Sequence, residues 1–391
     1  MKRLMLTLMM LSLAVPTGAL AELEIHMEEK EENGQTLVVF SAETVQTEEA
    51  APDAEETPDP SLLMANGLME SHFEQTKAAQ LTRRAGAELA QHGEIYTAGN
   101  VASLVLHWDG TQADGTSGSA VRGLVLDLTT GEEIRPEQLF DDADAAFDAM
   151  EAIIADDVLP ELSDYMEYSE LLPMPRDNYA IDAYGLTVFY SDDSYRYFDE
   201  QSGAVQFAWY ELADYIGETS PVYALAHAQS DIAALTDAAK EGRLPGPMEQ
   251  AAVGQKLGEV LETYTLLTEP DYTKDSRVYL FEEAALRGWA VEIPKYAETD
   301  EEETPISAIR TTRASVCGLT VGKTTKDELT ALLGQPKETR SYDAESAADR
   351  MLSAGESLFF ELSGKILQAH VDENGVLNCL ILRGAMPQDL Y

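Results

Sequence analysis

Between residues 250 and 391 the chain carries one pattern twice, and this duplication limits the available folds more than any other feature. Val253-Gly254, then eleven residues, then Leu266-Leu267-x-x-Pro270 returns as Val321-Gly322, nine residues, and Leu332-Leu333-x-x-Pro336. Leu280-Phe281-Glu282 returns as Phe359-Phe360-Glu361, and the closing Ile309-Arg310 as Leu382-Arg383. The offsets are 68, 66, 79 and 73 residues, drifting because the second copy is longer near 343–354 and the first carries the acidic loop Glu298 to Pro305. Length changes of this kind belong in loops, while helices and strands keep their spacing. Each copy, 250–316 and 317–391, reads as a small helix followed by a three-stranded antiparallel meander.

The helix of the second copy is bounded by its own chemistry. Gly322-Lys323-Thr324 resembles the end of a phosphate-binding loop, but the first glycine of that motif falls on Cys317. Thr325-Lys-Asp-Glu328 is instead a capping box, whose side chains satisfy the free backbone N–H groups of a helix ending at Gly334.

Upstream, 22–217 reads as an α+β domain. Leu23 to Glu29 and Thr36 to Thr44 have strand character, around a polar turn holding Asn33-Gly34. Residues 46–60 are Glu, Ala, Asp, Pro and Thr in the main, a composition that cannot bury apolar surface and predicts a flexible acidic insertion. Asp59-Pro60 opens a helix whose apolar positions run from Leu62 through Phe73 to Leu89, with Gly93 as its stop. Ala102 to Trp108 and Leu124 to Leu128 alternate as a hairpin with one buried face. Phe147, Met150, Ile154 and Val158 make a helix face, and Leu186 to Tyr190 and Val205 to Trp209 add two strands. Sequential hairpins with helices between them indicate antiparallel sheets, not a parallel nucleotide-binding sheet. The stretch 218–249 reads as a connecting helix, Ser230 to Glu241, and a Gly- and Pro-rich hinge, 242–247.

The first 21 residues have the three parts of a secretory signal: Lys2 and Arg3, the apolar run Leu4 to Val15, and Ala19-Leu20-Ala21. Cleavage is expected between Ala21 and Glu22. The apolar run is shorter than the ~20 residues that span a bilayer, so the mature chain is expected not to cross a membrane and to reside outside the cell or in the periplasm. Acids outnumber Lys plus Arg by 71 to 26, a formal charge of −45. That balance argues against nucleic acid, whose phosphates require cations, and is compatible with a cationic protein partner.

Residues able to carry chemistry are thinly spread. Six histidines, at 26, 72, 92, 107, 227 and 370, show no paired helical spacing, and Gly115-Thr-Ser-Gly-Ser119 lacks the geometry of a nucleophile elbow. Asp372-x-Asn374-Gly375 fails the calcium-loop spacing and reads as a hairpin turn. No catalytic, cofactor or metal residues are assigned. Cys317 and Cys379, the two cysteines, either pair, closing a loop of about 60 residues worth roughly 3–4 kcal/mol, or remain small buried thiols. Tyr195, Tyr197 and Phe198, in the acidic loop 191–202, are the first candidates for partner contact, since rigid aromatics anchor interfaces.

Two resemblances accompany these readings. Asn100-Val-Ala-Ser-Leu-Val-Leu106, Leu126-Asp-Leu-Thr-Thr-Gly131, Ala183 to Tyr190 and Gly203 to Leu212 resemble the extracellular domain of lysozyme-sensing anti-sigma factors and some peptidoglycan deacetylases. Leu319 to Leu329, Leu333-Gly-Gln-Pro336 and the strand pair around Asp372-Glu-Asn-Gly375 resemble the repeat of the β-lactamase inhibitory protein and of outer-membrane assembly lipoproteins. The resemblances imply recognition surfaces and no chemistry. The resulting expectation is an exported, non-enzymatic binding protein of the bacterial envelope with a protein ligand, cationic as lysozyme is. A peptidoglycan-binding module and an inhibitor of a secreted hydrolase are the alternatives.

Overall fold

The computed structural model describes residues 23–32, 35–44, 59–83, 88–111, 117–160, 172–190, 203–228, 230–297 and 299–387. The fold is α+β, and among the described residues every strand pairing is antiparallel. The chain forms two compact units, 1–135 and 136–391. Their boundary falls inside the stretch 22–217 that the sequence reads as one domain. Among the described residues no helix is long and apolar enough to cross a membrane.

In the first unit, β1 (Leu23–Glu32) and β2 (Gln35–Thr44) form a ten-residue ladder. Helix α1 (Pro60–Arg83) begins where Asp59 caps it, its Oδ1 accepting from the Ser61 amide at 2.8 Å. Strands β3 (Glu88–Ala98), β4 (Val101–Thr111) and β5 (Ser117–Asp127) form a meander. Ala65, Met69 and Phe73 of α1 share a core with Val38 and Phe40 of β2 and with Leu104, Leu106 and Trp108 of β4.

Two expectations fail here. The helix ends at Arg83, and Leu89 and Gly93 lie in β3. Gly93 marks a close approach: a Cβ there would sit 2.5 Å from Met27 Sδ and 2.7 Å from Val38 Cγ1. Apolar spacing alone continued the helix past the point where packing ends it. The β4–β5 hairpin is also covered on both faces, since Val101, Ser103 and Val105 are as buried as Leu104 and Leu106.

The second unit opens with α2 (Ala143–Ile153), capped by Asp142 and extended by a π-helical turn, which buries Phe147, Met150, Ile154 and Val158. Strands β6 (Tyr179–Ile181), β7 (Gly185–Phe189) and β8 (Ala204–Ala208) follow as a small sheet. Helix α3 (Ile232–Lys240) leads into the duplicated region. Copy one supplies α4 (Leu257–Leu261), β9 (Asp271–Tyr272), β10 (Ser276–Leu280), β11 (Trp289–Pro294) and β12 (Ala308–Thr311). Copy two supplies the short hairpin β13 (Ser315–Val316) and β14 (Leu319–Thr320), then α5 (Lys326–Leu333), β15 (Glu338–Tyr342) and α6 (Ala344–Ala348). It closes with β16 (Gly355–Leu362), β17 (Lys365–Asp372) and β18 (Leu377–Arg383). The capping box at Thr325 and Glu328 is formed, and Gly334 ends the helix at φ 82°.

The copies fuse into one eight-stranded sheet of order β15-β16-β17-β18-β12-β11-β10-β9. The last strand of each copy pairs antiparallel with the last strand of the other, with Ile309 opposite Leu382, Arg310 opposite Ile381 and Ala308 opposite Arg383. Because Ile309 and Leu382 are equivalent positions of the repeat, the copies are related by a pseudo-twofold through that pair. One face of the sheet carries the core. Val291, Ile293, Ile309, Leu358, Phe360, Leu367, Leu380 and Leu382 pack there with Leu235, Leu257, Val260 and Leu329 of the helices.

The Gly- and Pro-rich stretch expected to hinge is packed instead, with Leu244, Met248 and Ala251 in the same core. A Cβ on Gly246 would lie 2.2 Å from Cη2 of the buried Trp289. Gly246→Ala is therefore expected to destabilise the second unit by about 1–3 kcal/mol, through overpacking. Chemical denaturation checks this; an unchanged midpoint would mean that this turn does not pack on the tryptophan.

Candidate functional site

Strand alternation puts a second set of side chains on the face opposite the core. Glu292 stands between Val291 and Ile293, Arg310 between Ile309 and Thr311, Gln368 between Leu367 and Ala369, and Arg383 follows Leu382. Glu292, Arg310 and Gln368 are buried. The Glu292 carboxylate accepts from both copies at once: Arg310 Nη1 lies 3.4 Å from Oε1 and Arg383 Nη1 lies 3.1 Å from Oε2.

The two halves of this cluster are equivalent. Glu292 faces Ala308 on β12 and Gln368 faces Ile381 on β18, and the repeat relates those two strands. Ser276 Oγ donates to Glu292 Oε2 at 3.0 Å, while Gln368 Nε2 donates to Ser357 Oγ at 2.9 Å. Arg383 Nε donates to Gln368 Oε1 at 2.8 Å. One copy thus places Ser, Glu and Arg where the other places Ser, Gln and Arg. The single carboxylate lets two guanidinium groups, buried Arg310 and half-buried Arg383, coexist beside the pseudo-twofold.

Burial alone would raise the Glu292 pKa, but Arg383 and Arg310 override it and hold the carboxyl below its ordinary value of 4.5. The cluster is costly to assemble, since desolvating charges consumes most of the Coulombic gain. Removing Glu292 would strand Arg310 as a buried charge, whereas without Arg310 the carboxylate keeps Arg383.

The extra length of copy two, 343–354, becomes a strap on this face. Arg310 donates to the carbonyls of Arg350 at 3.2 Å and Met351 at 2.6 Å, and the Lys274 amide donates to Asp349 O at 2.7 Å. Leu352 packs on Ala308, Cys379 and Ile381. His370 completes the attachment: Nε2 donates to Ser353 O at 2.8 Å, and Nδ1 lies 3.0 Å from Ser357 Oγ.

Beside the strap lies a cavity of about 510 Å³. The strap contributes Arg350 and Leu352, the sheet Ser276, Glu292, Gln368 and Arg383, and segment 384–387 borders it near Arg340, Tyr342 and Lys365. Arg350 stacks over the Tyr342 ring at 5.0 Å, and Arg340 over Phe359 at 5.1 Å with Nη1 donating to Pro387 O at 3.1 Å. Its volume is that of a ligand pocket.

The residues singled out from sequence do not form this site. Ala21, Glu22, Tyr195, Tyr197 and Phe198 lie outside the described residues. The cysteines are both free thiols, which corrects the disulfide alternative. They belong to opposite faces of the sheet: Cys379 is buried beside Arg310, with Nη2 3.7 Å from Sγ, whereas Cys317 packs against the apolar core. Burial pushes both thiols up. Asp372 serves its own hairpin turn, accepting from the amides of Asn374 and Val376 at 2.9 Å each. The basic cavity residues went unread; of them only Arg383, which recurs with Arg310 at equivalent places of the repeat, carried a signal in the sequence.

His370 makes the strap sensitive to acid. Burial lowers its pKa from 6.5, with the Arg310 charge adding to the effect. A depressed pKa means that the unfolded chain takes up a proton before the native one, so stability is complete above pH 6.5 and falls as the pH drops below it. Unfolding followed from pH 8 to 5 is expected to show this loss in the native chain and a flatter profile in His370→Asn. Parallel profiles would contradict the assignment.

No protein-family model matches the chain. No curated protein matches it in sequence. Among solved structures it is similar to a DUF4309-family protein of Bacillus subtilis, at 15% identity and a TM-score of 0.28, over 39% of this chain and 93% of that one. It is also similar to two DUF3298-family proteins. The one from Bacteroides fragilis is 12% identical with a TM-score of 0.35, over 54% of this chain and 99% of that one. The one from Pseudomonas aeruginosa is 12% identical with a TM-score of 0.34, over 51% and 95%. Likenesses at this level carry no statement about activity.

Proposed function

We propose that the chain is an exported, non-enzymatic binding protein of the bacterial envelope, which holds a protein ligand against the polar face of its eight-stranded sheet. The observation that carries this reading is the division of labour between the two faces. One face supplies a complete apolar core, while the other spends buried charge on holding a strap beside an open, ligand-sized cavity. Buried ion clusters contribute little net stability, so a role in shaping a surface accounts for this one better than a role in folding. The resemblance of the duplicated region to the β-lactamase inhibitory protein, itself a binder, points the same way.

The ligand's body is cationic in this reading. The formal charge of −45 would draw such a protein in and speed the encounter. The resemblance of 22–217 to lysozyme-sensing domains makes lysozyme the first probe. Calorimetric titration of the exported chain with lysozyme at ~50 and ~300 mM salt separates specific recognition from screened attraction. Submicromolar affinity that survives high salt and falls about tenfold in Tyr342→Ala is expected, because aromatic residues at such sites act as anchors. Heat that vanishes at high salt, or is unchanged in Tyr342→Ala, would overturn lysozyme binding at this face.

A further inference from the structure

We infer that the cavity beside the strap takes the free carboxylate end of a peptide. The inference rests on the reading of the polar face as a binding surface and adds the chemistry of what enters it. The first observation is an inversion of charge. Acids outnumber basic residues by 71 to 26 in the chain, yet the cavity is lined by Arg340, Arg350, Lys365 and Arg383 against only Asp275 and Glu292. A chain so poor in cations concentrates four of them around one cavity.

The second observation is which of these charges are already spent. Glu292 is satisfied by Arg310, Arg383 and Ser276, and Arg383 by Glu292 and Gln368. Arg340 is held by Glu338, Pro387 and the Phe359 ring. The Lys365 ammonium, in contrast, makes no ion pair or hydrogen bond among the described residues. Arg350 commits only Nη1, to Ser346 O at 2.7 Å, and rests its guanidinium plane on Tyr342. A rigidly stacked guanidinium and a free ammonium are the donors that a carboxylate requires.

The third observation is Asp275, also in the lining, whose Oδ1 is buried with no hydrogen-bond partner among the described residues. A ligand's N–H group would satisfy it, and an unmet buried acceptor is a standing cost until something does. An unpaired carboxylate disfavours a dianionic phosphate but suits a peptide end, which offers N–H donors within reach of its terminal carboxylate. Gln368, Ser276 and Ser307 complete a lining suited to polar backbone.

The test is titration of the full exported chain with three probes, followed by calorimetry and by chemical-shift changes: acetyl-Gly-Ala-Ala as the free acid, the same peptide as its C-terminal amide, and inorganic phosphate. The free acid is expected to bind, with the amide weaker by about tenfold or more, as loss of a charged hydrogen bond implies. Lys365→Met should bring the affinity for the acid down to that of the amide and leave the amide's own affinity unchanged. Lys365 is half-buried at the start of β17, so this variant retains the fold, and a melting curve verifies it.

Equal binding of acid and amide, tighter binding of phosphate than of the acid, or no binding of the acid at millimolar concentration would each overturn the inference. The lysozyme titration fails or succeeds separately. Acid binding without lysozyme binding would keep the carboxylate site and remove the cationic protein ligand, and the converse would keep the surface and remove the carboxylate.

Discussion

A single buried carboxylate, Glu292, holds together what the duplication would otherwise drive apart. Fusing the two copies through β12 and β18 brings Arg310, which is buried, and Arg383, which is half-buried, into one neighbourhood. Two guanidinium groups so placed would repel each other and lack acceptors. Glu292 accepts from both, and Gln368, its counterpart in the second copy, accepts from Arg383 without adding a second charge. Besides Glu292, Arg310 reaches the strap carbonyls of Arg350 and Met351.

From that cluster the rest of the polar face follows. The strap is attached at Arg310, His370 and Lys274 and is seated by Leu352, so its position is over-determined by polar and apolar contacts together. Its attachment sets Arg350 on Tyr342 and leaves a cavity between strap, sheet and the segment 384–387. The cation-rich lining then stands against the acidity of the whole chain. In the proposed function, long-range attraction and local recognition would thereby have opposite signs: the exterior would draw in positive bodies, and the cavity would accept a negative group.

Much of this architecture was legible in the sequence, because its determinants are local. The capping box at Thr325 and Glu328, the strands around Leu186 and Val205, and the turn at Asp372 are each fixed by residues a few places apart. The duplication was legible for the same reason, and so was the surplus length at 343–354. What that surplus does was not legible, since it depends on Arg310 meeting carbonyls about 40 residues away. Gly93 misled because helical spacing cannot register that Met27 and Val38 cross over it. The hinge at 242–247 misled likewise: glycine and proline mark a bend in the chain, but not whether Trp289 closes over it. The cysteines suggested a pair because strand neighbours were easy to imagine, whereas the alternation of β18 assigns Cys379 to the face away from Cys317.

The central claim is that the ion cluster exists to hold the strap and so to form the cavity, while the apolar face carries the stability of the sheet. Native-state hydrogen exchange on Arg310→Met tests it most directly, with the amides of Lys274, bonded to Asp349 O, and Leu352, bonded to Ala347 O, as reporters. The account predicts faster exchange at those two amides while the amides of β11 and β17 keep their protection. Unchanged exchange at Lys274 and Leu352, or an even loss of protection across the whole sheet, would contradict it.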